Sequence, residues 1–119
     1  MFDFLDGITV QVNGTGVSSY DFGTSTTMPV SVTVTLVNNG IAPLNLGGLS
    51  AITVSGTDAA DFSVSGSPSD TIDAGASTTF TLTFDATTFN QTRTATVTVQ
   101  PAGNAKGATI TVSGYYQLT

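Results

Sequence analysis

The sequence predicts an all-β domain, a sandwich of two antiparallel sheets, and three observations predict it. Apolar and polar residues alternate strictly in five separate stretches. Turn-forming residues break the chain at short intervals between them. No stretch of useful length repeats apolar residues with the 3.6-residue period of a helix.

The elements follow in order. Ile8, Val10 and Val12 alternate with Thr9, Gln11 and Asn13. The segment Tyr20-Asp21-Phe22-Gly23 interrupts this region and is expected to carry the chain from one sheet edge to the next. Val30, Val32, Val34 and Leu36 alternate with Ser31, Thr33 and Thr35. Phe80, Leu82 and Phe84 alternate with Thr79, Thr81 and Thr83. Ala95, Val97 and Val99 alternate with Thr94, Thr96 and Thr98, and Ile110 and Val112 with Thr109, Thr111 and Ser113. Strand side chains point alternately to two faces, so each set puts aliphatic groups on one face and hydroxyls or amides on the other. Shorter strands are expected over 44–46, 51–54 and 62–64. Asn38-Asn39-Gly40, Gly47-Gly48, Gly66-Ser67-Pro68, Asp73-Ala74-Gly75 and Pro101-Ala102-Gly103-Asn104 supply turns. One helical turn is expected over 58–61, with Thr57 as N-cap and Asp58 near the positive helix end. About seven to nine short strands at this spacing read as one immunoglobulin-like sandwich spanning residues 1–119.

Composition narrows the function. The 119 residues carry a formal net charge of −6; the eight acids are all Asp, and the two bases are Arg93 and Lys106. Two bases cannot neutralise a run of phosphates, which argues against nucleic acid. No run of 18 apolar residues exists, so no membrane insertion is expected. The start, Met1-Phe2-Asp3-Phe4-Leu5-Asp6, lacks the basic and apolar regions of a signal peptide. Histidine and cysteine are absent. Nucleophilic catalysis needs a base beside the nucleophile, so no catalytic residue is assigned, no cofactor is expected, and the chain is read as a non-enzyme.

Asp58, Asp61, Asp70 and Asp73 are calcium candidates, because calcium takes six to eight oxygen ligands and these acids lie in neighbouring loops. Turn formation accounts for the same residues more simply. Asn13-Gly14-Thr15 and Asn90-Gln91-Thr92 match the glycosylation triplet, which is frequent by chance in a Thr-rich chain. The Thr ladders invite a water-ordering or glycan-binding reading, against which the twist of a sandwich sheet works. Phe22, Phe62, Phe80 and Phe84 fall on apolar faces and are expected in the core. Phe2, Phe4, Tyr115 and Tyr116 lie at the two ends and are interface candidates, since Phe and Tyr are favoured anchors. An open edge strand could also pair with another chain.

Five segments resemble the ASH type of immunoglobulin-like domain (abnormal-spindle, spindle-defective, Hydin), in its bacterial choice-of-anchor D version. They are Asp21-Phe22-Gly23, the turn from Val37 to Leu44, Gly56-Thr57-Asp58-Ala59-Ala60-Asp61-Phe62, the stretch from Ile72 to Ser77 with the strand to Phe84, and Thr92 to Val97 with Ile110-Thr111-Val112-Ser113-Gly114. The likeness covers roughly residues 8 to 114. Ala74 stands where the family turn usually has Pro, and the usual Pro and Gly between Asp85 and Gln91 are missing. The resemblance implies a module of large surface, extracellular, ciliary or centrosomal proteins, with no shared catalytic residues. The expected function is a non-catalytic structural or adhesive interaction module of a surface, extracellular or filamentous assembly, with protein partners and self-assembly through termini or edge strands. A phage virion decoration or fibre domain is one alternative, and a glycan- or calcium-binding module the other.

Overall fold

A computed structural model describes residues 7–102 and 107–118. Its strands are β1 (Ile8–Val12), β2 (Thr15–Gly16), β3 (Ser19–Ser25), β4 (Val30–Asn38), β5 (Leu44–Asn45), β6 (Ile52–Ser55), β7 (Phe62–Ser65), β8 (Thr71–Ile72), β9 (Ser77–Phe84), β10 (Thr92–Val99) and β11 (Ala108–Tyr116). One sheet has the order β2-β1-β4-β9-β7 and the other β3-β11-β10-β6, while β5 and β8 form a small ribbon. This is the expected all-β sandwich.

The alternation makes the two layers. Val34 and Leu36 of β4, Phe80, Leu82 and Phe84 of β9, Ala95, Val97 and Val99 of β10, and Ile110 and Val112 of β11 are buried in one core. Burying each of the larger side chains contributes about 1.5–3 kcal/mol, so the inward set holds the layers together. The residues between them turn outward. Register aligns them into rows: Ser55, Thr96, Thr111 and Ser19 run across one sheet, and Thr94, Ser113 and Asp21 lie beside them. On the other sheet Gln11, Thr35 and Thr79 form a comparable row. The Ser31 and Thr83 hydroxyls, also register partners, are 2.9 Å apart.

Three expectations are corrected. Eleven strands are present among the described residues, the excess over seven to nine coming from the two-residue pieces β2, β5 and β8. The β1–β2 hairpin turns at Asn13-Gly14, with φ of 55° and 81°; two successive positive φ values are what an Asn-Gly hairpin turn requires. The pairing is not antiparallel throughout, because β3 runs parallel to β11. Tyr20-Asp21-Phe22-Gly23 does not interrupt a strand but lies within β3, in the sheet opposite β1.

The chain enters β1 at one end of the sandwich and leaves β11 at the other. Ile8 pairs with Asn38, at the end of β4 where β9 begins. Tyr115 pairs with Thr92, the start of β10, beside the link that also meets the end of β9. These are below termed the Asn38 end and the Arg93 end.

Candidate functional site

At the Arg93 end the chain crosses between sheets, from β6 to β7. Arg93 occupies the inward register of β10, in line with Ala95 and Val97. At the rim of the core it reaches the crossing segment. Its Nε donates to Asp61 Oδ2 at 2.6 Å, one terminal nitrogen lies 3.4 Å from Asp58 Oδ1, and the other donates to Gln91 Oε1 at 2.8 Å. Asp58 also accepts from the Thr94 amide at 2.9 Å, while its own amide donates to the Thr94 carbonyl. The hydrogen bond to Asp61, with the nearby charges of Asp61 and Asp58, outweighs burial and holds the guanidinium above its ordinary pKa. The pairing therefore favours the charged guanidinium, a contribution present at every pH below arginine's ordinary titration range and lost only above it.

This corrects the expected helical turn. The turn is a 3-10 turn over Ala59–Asp61, its N-cap is Asp58 rather than Thr57, and no side chain caps it. The Asp58 carboxylate bonds to β10 instead. Arg93→Ala is expected to destabilise the fold by about 2 kcal/mol, because nearly buried Asp61 loses its counter-charge. Arg93→Lys should recover less than half, since an ammonium cannot span two carboxylates and an amide. Urea titrations of both variants check this.

The four calcium candidates are not brought together. Asp58 and Asp61 hold Arg93 at one end. Asp70 and Asp73 lie at the Asn38 end, where the Asp70 carbonyl accepts from the Leu46 and Gly47 amides and the Asp73 carbonyl from Ala76. The length of β9 separates the pairs, roughly 24 Å at strand rise. Among the described residues no group of three or more metal-ligating side chains forms. Their proximity in sequence misled, because β9 starts beside one pair and ends beside the other.

A hollow of about 280 Å³ opens on the outer face of the β3-β11-β10 sheet. Asp21, Gly23, Thr24, Thr92, Ser113 and Tyr115 line it, with Gly114 behind them. A bulge creates it. Register jumps from Asp21–Ser113 to Thr24–Tyr115, so Phe22 and Gly23 together oppose Gly114. Gly23 takes φ 76°, and its amide donates to Asp21 Oδ1 at 2.8 Å. The extra residue bends the edge strand away from its neighbour. Sequence reasoning missed this site, although Asp-Phe-Gly carried the signal: a turn-bonding acid and a φ-permissive residue inside a strand.

Tyr115 and Tyr116 therefore part company. Tyr115 lines the hollow, whereas Tyr116 packs against the core and its ring lies 4.4 Å from that of Phe89. Asn90, with φ 64°, donates its amide to the Tyr116 carbonyl at 2.7 Å and accepts from the Leu118 amide at 3.3 Å. Phe89 and Leu118 remain 41% and 56% exposed, and at the Asn38 end Ile41 is 74% exposed. Phe62, Phe80 and Phe84 are buried as expected, and Phe22 is half-buried against Phe84, ring centroids 5.6 Å apart. Phe2, Phe4 and Lys106 lie outside the described residues.

No protein-family model matches this chain, and no curated protein does. Among solved structures it is similar to the VesB protease of Vibrio cholerae, with a TM-score of 0.55 and 20% identity over 82% of this chain. The chain spans 30% of that protein's length. At this identity the likeness carries the sandwich fold alone. None of these comparisons supports the ASH or choice-of-anchor D resemblance.

Proposed function

We propose that this domain is a non-catalytic structural module that stacks end to end with neighbouring copies in an extracellular, surface or filamentous assembly. The observation that carries the reading is the pairing of opposite poles: β1 starts at the Asn38 end, β11 finishes at the Arg93 end, and exposed Ile41 sits at the first and exposed Phe89 and Leu118 at the second. A contact joining unlike, opposite ends is heterologous, and it propagates as a line unless its rotation closes it into a ring. Phe89 and Leu118 are flanked by Thr88, Asn90 and Gln117, which bring no charge to the contact. The segments resembling ASH domains fit the same reading. So does the solved neighbour, in which the matched region is under a third of a larger chain. The absence of His and Cys weighs against a His- or Cys-based enzyme.

Sedimentation velocity over a range of protein and salt concentrations tests it. Mass should climb with protein concentration, and climb further with salt, because salt screens the repulsion between chains of charge −6. Phe89→Ser with Leu118→Ser should weaken association by about tenfold or more. Monomers at every concentration and salt would sink the proposal.

A further inference from the structure

We infer that the hollow at the β3 bulge binds a neutral sugar ring. The site lies on the outer face of a sheet at its Arg93 end, is lined by residues other than Phe89 and Leu118, and goes beyond the assembly reading.

The argument is from what lines the hollow. Tyr115 supplies an aromatic surface with a polar tip, suited to a ligand that is apolar on one side and hydroxylated at its edge. Thr24, Thr92 and Ser113 supply hydroxyls, each able both to donate and to accept. Asp21 supplies a carboxylate with one oxygen engaged by the Gly23 amide, leaving acceptor capacity for ligand hydroxyls. The bulge fixes all of these on paired strands rather than on a loose loop.

Charge and ligand count argue against anions and calcium. Among the described residues no base lines the hollow. Arg93, next to Thr92, directs its donors to Asp58, Asp61 and Gln91. An anionic ligand would meet only the Asp21 carboxylate, which repels it. A calcium ion would find one carboxylate, short of the six to eight oxygens it takes. The hydroxyl lining favours an uncharged, hydroxyl-rich ligand of about one ring, given a volume just below the usual range of small-molecule pockets. Rows of uncharged hydroxyls continue from the hollow across the sheet, Thr94 with Ser113 and Thr96 with Thr111. A longer saccharide would extend along them.

Titration of the isotopically labelled chain followed by its amide NMR spectrum tests this. The probes are glucose, galactose, mannose and N-acetylglucosamine, their disaccharides, and glucuronate as the charged control. Amides of residues 21–24, 92 and 113–115 should shift with at least one neutral probe, with a dissociation constant on the order of millimolar for so shallow a site. Glucuronate should leave them unmoved. Tyr115→Ala should weaken the response about tenfold, and Thr92→Val, close to isosteric, should weaken it without touching the bulge. Asp21→Asn keeps an oxygen for the Gly23 amide and should admit glucuronate. No shift at these amides with any neutral probe, or shifts unchanged in both folded Tyr115→Ala and Thr92→Val, would overturn the site.

Discussion

Gly114→Ala is expected to destabilise the fold by about 3 kcal/mol, the large end of what one added methyl group does. The cause is a single contact. Gly114 sits in the inward register of β11 opposite the β3 bulge, and a Cβ built on it would lie 2.5 Å from Phe84 Cε2, with two more ring atoms within 2.9 Å. The ring cannot step aside. Phe84 is fully buried, stacked on Phe62 at 4.9 Å between centroids and flanked by Phe22 at 5.6 Å. A midpoint shift in urea with an unchanged slope measures the effect. Phe84→Leu costs some packing by itself but vacates the ring's outer edge. The double variant should therefore be less destabilised than the sum of its parts, by about 1 kcal/mol or more. Simple additivity would mean the added methyl does not meet that ring.

The sandwich was legible because alternation is a local property. Val34 and Leu36, or Phe80 and Leu82, declare an inward face from their own stretch alone. What was not legible depends on residues far apart in sequence. That Asp21 would lie beside Ser113, and β3 run parallel to β11, is fixed by the last strand meeting an early one. Arg93 carried a cue in its inward register, but its partners lie across the core in another loop. The Asn13-Gly14 turn is the opposite case: its hairpin signal is local, and reading it as a chance glycosylation triplet hid it.

Segments singled out for their resemblance turn out to be packing devices. Asp-Phe-Gly makes a bulge, Ser113-Gly114 sits across from it, and Gly56 to Phe62 supplies the two acids that hold Arg93. Asn90 adopts φ 64° in the link between β9 and β10, and Asn is among the residues most tolerant of that region. Beside Ala74, Gly75 takes φ 77° and the Ala76 amide closes the turn on the Asp73 carbonyl at 2.9 Å.

Asn38 carries the second large effect, and here a turn residue proves to be a core residue. It continues the inward series of Val34 and Leu36 and is 1% exposed. Its Nδ2 donates to the carbonyls of Ala42 and Ile72, both at 2.9 Å, and its Oδ1 accepts from the Gly40 amide at 2.8 Å. Two acceptors and one donor around it leave only one orientation for the amide. Its backbone binds the next turn, donating to Ala76 and accepting from Gly75. One side chain thus ties β4, the turn after it and β8 together. Asn38→Ala removes three hydrogen bonds and strands buried partners, so a loss of about 3 kcal/mol is expected. Asn38→Asp should cost more at neutral pH, since a carboxylate cannot donate to two carbonyls. Burial and those carbonyls raise the introduced group's pKa in the folded state, so the native form binds the proton more tightly than the unfolded chain. Stability of this variant should then rise as pH falls through that raised value, while Asn38→Ala changes with pH as the parent does. Urea midpoints for the three proteins from neutral to mildly acidic pH decide it. Equal losses for Ala and Asp at every pH would place Asn38 in water.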